Sequence, residues 1–305
     1  MLSHEALLDE LEPTAASLLD RHLSTSKEWF PHDLVPWSQG RDFEPDYEWS
    51  PDEVHLSPEV RSALFVNLLT EDNLPYYFRT IEAMFGRDSA WGTWARRWTA
   101  EEGRHSIVIR DYLTVTRAID PVALERARMA QVECGEVPEP GTPHDGFAYV
   151  ALQELATRIA HHNTGKLLED KAGYEVMKKG ASDENRHHLF YRDLVSAALE
   201  VDPSGMVCAI ERQVRTFEMP GTGILDYEAH AKAIANAGIY DFAAPHDQLL
   251  VPVVLRTWGV EQLEGLDAEG EAARAALVKR IERIGKAGRR MAARREERQA
   301  ELAPA

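Results

Sequence analysis

The stretch Trp98-Thr99-Ala100-Glu101-Glu102-Gly103-Arg104-His105 decides how this chain is read, because its ending returns as Asp183-Glu184-Asn185-Arg186-His187. Each copy reads acid-Glu-x-Arg-His. At helical pitch, residues three apart lie within roughly 60° of each other on one face. A Glu and a His so placed reach one metal ion together. A single Glu-x-x-His is common on solvated helix faces, so neither copy carries the reading alone.

Working outward, each copy is preceded by an isolated glutamate. Glu71 stands 31 residues before Glu102, and Glu154 stands 30 before Glu184. The whole unit, Glu and then Glu-x-x-His, therefore occurs twice. Two helix pairs built this way supply four carboxylates and two imidazoles, the ligand set of ferritin-like dimetal bundles. Glu154 lies among Phe147, Val150, Leu152 and Ile159, where an unpaired carboxylate is costly and needs a cation or a proton. Carboxylate and imidazole ligands suit iron or manganese, and the lack of thiolates argues against structural zinc or iron–sulfur. A site shielded by apolar helices suits dioxygen chemistry better than hydrolysis. The expected class is all-α: a ferritin-like dimetal helical bundle with additional helices.

The acids beside the motifs, Glu101 and Asp183, are expected to take the second ring N–H of the opposite histidine, Asp183 serving His105 and Glu101 serving His187. Arg104 and Arg186 are expected to hold those acids. Thr157, one turn past Glu154, either faces the metals or bonds its own backbone. His161, His162 and His188 read as surface or satisfied buried histidines.

The 305 residues carry a net charge of −17, which argues against nucleic acid and anionic membrane as partners. Cys134 and Cys208 lack metal-type spacing and read as reduced thiols of a cytosolic protein. The acidic start shows no signal-peptide pattern, and the apolar run at Leu249–Leu255 is too short to span a bilayer. A cytoplasmic location without membrane insertion is expected. One domain over 1–305 is expected: an N-terminal helix and irregular cover to 56, a metal-binding core over 57–200, and further helices over 201–305. Ser57-Pro58 is a helix start. Pro75 removes the partner of the Glu71 carbonyl, so a kink or widened turn is expected there. The dense basic cluster lies in a helical tail, from Lys279 to Arg298.

The ordered set Pro36-Trp37-Ser38, Thr70-Glu71-Asp72-Asn73-Leu74-Pro75, Arg97 to His105, Gln153-Glu154-Leu155-Ala156-Thr157-Arg158 and Ala181 to His187 resembles the soluble acyl-acyl-carrier-protein desaturases of the stearoyl Δ9 type, especially actinobacterial ones. The likeness runs from the first helix past Leu255. It implies a homodimer with two iron ions, reduced by ferredoxin and reacting with O2, that places a cis double bond in a fatty acyl chain on acyl carrier protein. It implies Glu71, Glu102, His105, Glu154, Glu184 and His187 as iron ligands and Thr157 in oxygen activation. It also implies an electron route through Trp37, Asp183 and His105. Thr80, Ala83 and Met84 depart from plant members along the stretch that helps line the acyl tunnel, which bears on chain length and bond position. Two other functions share the ligand set: a di-iron hydroxylase or N-oxygenase on a carrier-bound substrate, and ferritin-like iron oxidation or storage. Ferritin subunits are much shorter and do not need the helices after His187.

Overall fold

The computed structural model describes residues 2–302 apart from Pro220 and Thr222, with the side chains of residues 53, 296 and 298–302 outside that description. Among the described residues there is no strand, and no helix is long and apolar enough to cross a membrane.

The chain opens with α1 (His4–Thr25), capped by the Ser3 hydroxyl and running unbroken through Pro13. A short α2 (Pro31–Leu34) interrupts an otherwise irregular cover. Then follow α3 (Pro58–Glu71), α4 (Leu74–Phe85), α5 (Ser89–Val115), α6 (Pro121–Cys134), α7 (Pro143–Leu167) and α8 (Lys171–Val201). After them come α9 (Pro203–Thr216), α10 (Tyr227–Asn236), a π-helical segment at Pro245–Thr257, and the tail helix α11 (Ala268–Leu302). Start signals recur in the sequence. Pro58, Pro121, Pro143 and Pro203 each occupy a first-turn position, where a missing N–H costs nothing, and Ser57, Asp120, Thr142 and Asp202 cap them.

Four helices enclose the centre. Helix α3 packs on α5 and α7, and α8 packs on α5 and α7, so the cyclic order is α3–α5–α8–α7. Helix α1 closes the α5–α8 side, α4 lies on α5 and α7, α10 on α3, and α9 carries α11 outside α7 and α8. The interior is aromatic and aliphatic, with Trp94, Phe147, Phe190 and Tyr191 among its largest fully buried side chains. Trp94 and Phe190 stack at 3.6 Å between α5 and α8.

At Pro75 the helix does not kink; it stops and restarts. Helix α3 ends at Glu71 and α4 begins at Leu74. Asn73 turns the corner: its N–H donates to the Thr70 carbonyl, and its own carbonyl accepts from Tyr76 and Tyr77. The carbonyl that Pro75 leaves free is thereby placed at a helix end, where no partner within the helix is needed.

Candidate metal centre

Each wall of the bundle delivers its share of one cluster. Glu71 ends α3, Glu102 and His105 lie one turn apart on α5, Glu154 sits mid-way along α7, and Glu184 and His187 repeat the α5 pattern on α8. All six are buried. Ligand-capable atoms of Glu71, Glu102, His105 and Glu184 lie within 4.8 Å of one another, and so do those of Glu102, Glu154, Glu184 and His187. The two groups share Glu102 and Glu184. Two neighbouring positions result, with Glu71 and His105 belonging to one and Glu154 and His187 to the other.

The electrostatics ask for cations. Burial, with Glu102 and Glu154 nearby, pushes the Glu71 carboxyl up to about 7. Burial beside Glu102 and Glu154 also holds Glu184 well above the ordinary range. Against the pull of burial, Glu102 and the other acids hold His105 and His187 well above a normal imidazole. Inward-facing Glu102 Oε1, His105 Nδ1, Glu154 Oε2, Glu184 Oε1 and His187 Nδ1 have no hydrogen-bond partner among the described residues. Two divalent ions balance four carboxylates and complete these atoms, so the donor set fits a dimetal group.

Outside the ligands, each histidine crosses to the acid of the other helix. His105 Nε2 is 3.4 Å from Asp183 Oδ2, and His187 Nε2 is 3.0 Å from Glu101 Oε2. The arginines divide differently from the expected pairing. Arg104 and Arg186 both pair with Asp183, while Arg97 reaches Glu101 at 2.5 Å. Helical spacing accounts for this: Arg97 is one turn before Glu101 on the same face, whereas Arg104 turns toward α8.

Trp37 does not occupy the place given to it by resemblance. It is 50 % exposed, and its indole N–H donates to the carbonyl of His32. The tryptophan on Asp183 is Trp29, 5 % exposed, donating to Oδ2 at 2.9 Å and stacked on His105. The irregular cover has no periodicity, so spacing cannot say which of its tryptophans turns inward.

Thr157 is buried, with its hydroxyl accepting from Gln153 Nε2 at 2.9 Å, and it lines a cavity with Glu71. His161 is also buried beside the centre, its Nε2 3.7 Å from Glu71 Oε1. Its Nδ1–H donates to the Thr157 carbonyl, which leaves Nε2 as a bare acceptor without a partner among the described residues. His161 stands seven residues after Glu154, two turns along the same face, and that period was the available signal. Trp98 donates to Glu154 Oε1 at 2.9 Å, a contact for which the sequence reading gave no role.

Two largely apolar cavities meet at the cluster. One is lined by Leu74, Tyr77, Ile81, Met84, Phe85 and Val150 among others, and reaches Glu102, Glu154 and Glu184. The other lies under α10 and is lined by Val66, Thr157, Met219, Tyr227, Ile234 and Tyr240 among others. Both touch Thr70 and Glu71. In the wall of the first, α7 comes close to α4 at Gly146, where a Cβ would clash with Met84 Sδ.

A family model described as fatty acid desaturase matches residues 3–304. DesA1 of Mycobacterium tuberculosis, provisionally named an acyl-[acyl-carrier-protein] desaturase, is 43% identical over 284 residues, 89% of this chain and 83% of that one. A chloroplastic stearoyl-[acyl-carrier-protein] 9-desaturase of Arabidopsis thaliana is 34% identical over 252 residues, 75% of this chain and 63% of that one. The crystal structure of DesA2 from Mycobacterium tuberculosis, provisionally an acyl-ACP desaturase, superposes with a TM-score of 0.71 at 30% identity, covering 85% of this chain and 97% of that one.

Proposed function

The chain belongs to the fatty acid desaturase family, and from that premise we propose that it is a di-iron, O2-dependent desaturase placing a cis double bond in a fatty acyl chain carried on acyl carrier protein. The observation that carries this reading is the pair of apolar cavities meeting at Glu71, beside the six-ligand cluster. Alkyl chains bind by burial of apolar surface, at about 0.8 kcal/mol per methylene. A chain threaded from the α10 side would pass Thr157 and Glu71 and end against Met84 and Phe85.

Two iron ions, held by Glu71, Glu102, His105, Glu154, Glu184 and His187, would supply reductive activation of O2. The protein's own contribution is positioning. Glu102 and Glu184 lie in both groups of ligand-capable residues and would be within reach of either ion. The apolar walls exclude bulk water and hold one stretch of alkyl chain against the centre. Thr157 offers a hydroxyl on the substrate side, where it can carry a proton. Ferredoxin is the proposed electron donor, with entry through Trp29, Asp183 and His105 rather than through Trp37.

An acidic carrier approaching a chain of net charge −17 needs a local basic surface. The end of α11 lies over the α10 side: Arg295 pairs with Asp241 and donates to the Ala235 carbonyl, next to Ile239 and Tyr240 of the cavity wall. The tail cluster is therefore the proposed docking surface, and the active species is proposed to be a homodimer.

The test is product mass from iron-loaded protein given acyl carriers of several chain lengths, ferredoxin, its reductase and O2. Loss of two hydrogens is expected. Gain of oxygen would make the protein a hydroxylase or N-oxygenase, and iron oxidation with no acyl product would return the ferritin-like reading.

A further inference from the structure

The first helix carries a buried histidine that the ligand set does not use. His22 is 4 % exposed and lies on the inner stripe of α1 with Leu7, Leu11, Ala15 and Leu18. Its Nε2 is 2.8 Å from Glu101 Oε2, the same oxygen that His187 Nε2 meets at 3.0 Å. A carboxylate oxygen only accepts, so both rings present Nε2–H to it. The proton of His187 is thereby fixed on Nε2, which leaves Nδ1, 2.7 and 3.6 Å from Glu102 and Glu154, as the atom that would turn to an ion among those carboxylates. The rings of His22 and His187 stack at 5.8 Å, and Trp94 meets both edge-on.

The arrangement mirrors the other metal position. There Trp29 donates to Asp183, which serves His105, and its ring stacks on His105. Both donors come from the chain before residue 57, His22 from α1 and Trp29 from the cover, outside the four-helix core. Neither Glu101 nor Asp183 is held by its partner histidine alone.

We propose that His22 is a positioning residue for the metal position of Glu154 and His187, acting through Glu101. It supplies the N–H that keeps Glu101 Oε2 aimed at His187, and so keeps the His187 ring turned toward the ion. Without it, Oε2 loses one of its two donors, and Glu101 is free to turn toward Arg97. The inference rests on the dimetal reading, and the experiment separates the two.

The experiment titrates cobalt(II) into anaerobic, metal-free full-length protein and follows visible absorption and bound-ion stoichiometry for wild type, His22→Gln and His22→Met. Gln keeps an N–H near the Nε2 position, and Met fills the volume without a donor. Wild type is expected to bind two ions per chain. In His22→Met one of the two should weaken by ~10–100-fold, the usual effect of losing an outer hydrogen-bond partner. In His22→Gln it should return to within a few-fold of wild type. Thermal unfolding of the metal-free variants is expected to stay together. Two ions bound by His22→Met with wild-type affinity overturn the role of His22 and leave the dimetal reading standing. Equal weakening in both variants, with an equal loss of melting temperature, assigns His22 to packing alone and overturns it as well. Wild type that binds no ion overturns the dimetal reading itself, and this inference with it.

Discussion

The two halves of the candidate centre share a ligand pattern and differ in everything around it. On one side His105 meets Asp183, which is gripped by Trp29, Arg104 and Arg186. On the other His187 meets Glu101, which is held by His22 and Arg97. The Asp183 side leads outward through an indole toward the surface cover. The Glu101 side backs onto Trp94, Phe190 and Tyr191 in the core. A repeated motif thus supplies equal ligands, while non-repeated chain supplies unequal surroundings. On the proposed reading, the two positions would share the work of holding metal and divide the work of electron entry.

The largest expected effect tests what the halves share. Glu102→Ala or Glu184→Ala removes a ligand common to both positions, so both are expected to lose desaturation and two-ion binding together. Iron content of anaerobically loaded protein, measured beside turnover, checks this. Retention of one tight ion and partial turnover would mean that the carboxylate serves one position only.

Next comes what divides them. Asp183→Asn is expected to keep the fold and to lower metal affinity or ferredoxin-driven turnover by ~10–100-fold. Trp29→Phe should slow ferredoxin-driven turnover, and Trp37→Phe should leave it near wild type. Stopped-flow reduction of the loaded protein distinguishes these variants, and the opposite order would restore Trp37 to the route.

A smaller effect is expected at the tail, where interior and surface are compared. Reversing Arg289, Arg290, Arg294 and Arg295 to Glu should raise KM for the acyl carrier several-fold with little change in kcat, since rim charges act on encounter and are screened over about 8 Å at physiological salt. Reversing Lys178 and Lys179 in parallel probes a second surface. Steady-state kinetics across a salt series checks both, and an unmoved KM in the tail variant would leave α11 a solvated helix.

The smallest effect separates adjacent residues on the Glu101 side. The centre's acids hold His187 above a normal imidazole, whereas burial pulls His188 down to about 4, although its ring N–H donates to the Ala151 carbonyl. An unfolded-chain histidine titrates near ~6.5. The unfolded chain therefore takes up a proton between ~6.5 and about 4 that folded His188 refuses. The stability this group contributes is fully present above that window and lost as pH falls through it. Denaturant unfolding of metal-free protein should show the slope, and His188→Asn, which keeps an N–H for Ala151, should flatten it. An unchanged slope would remove His188 as its source.

Much of this was legible in the chain itself, for a physical reason. Helical periodicity converts spacing into direction, so Glu102 with His105, and Glu184 with His187, declared a shared face before any packing was known. The matching distances back to Glu71 and Glu154 then declared four helices around one cluster. Ser57-Pro58 marked a helix start because a proline ring tolerates few other places in a helix.

Other features depended on contacts between segments far apart in sequence. Pro75 announced a disturbance, but whether α3 bends or ends was decided by Asn73 closing the turn. His22 lies 79 residues from Glu101, and Trp29 lies 154 from Asp183. His22 continues the inward face of α1 after Leu19, yet no local rule names its partner. Trp29 and Trp37 sit in the same irregular stretch, where no period assigns a side chain to inside or outside. Local sequence dictates the direction of a side chain within a helix, because backbone hydrogen bonding repeats. Which donor from outside the core, His22 or Trp29, meets which acid was decided by tertiary packing, because it depends on how α1 and the cover settle against α5 and α8.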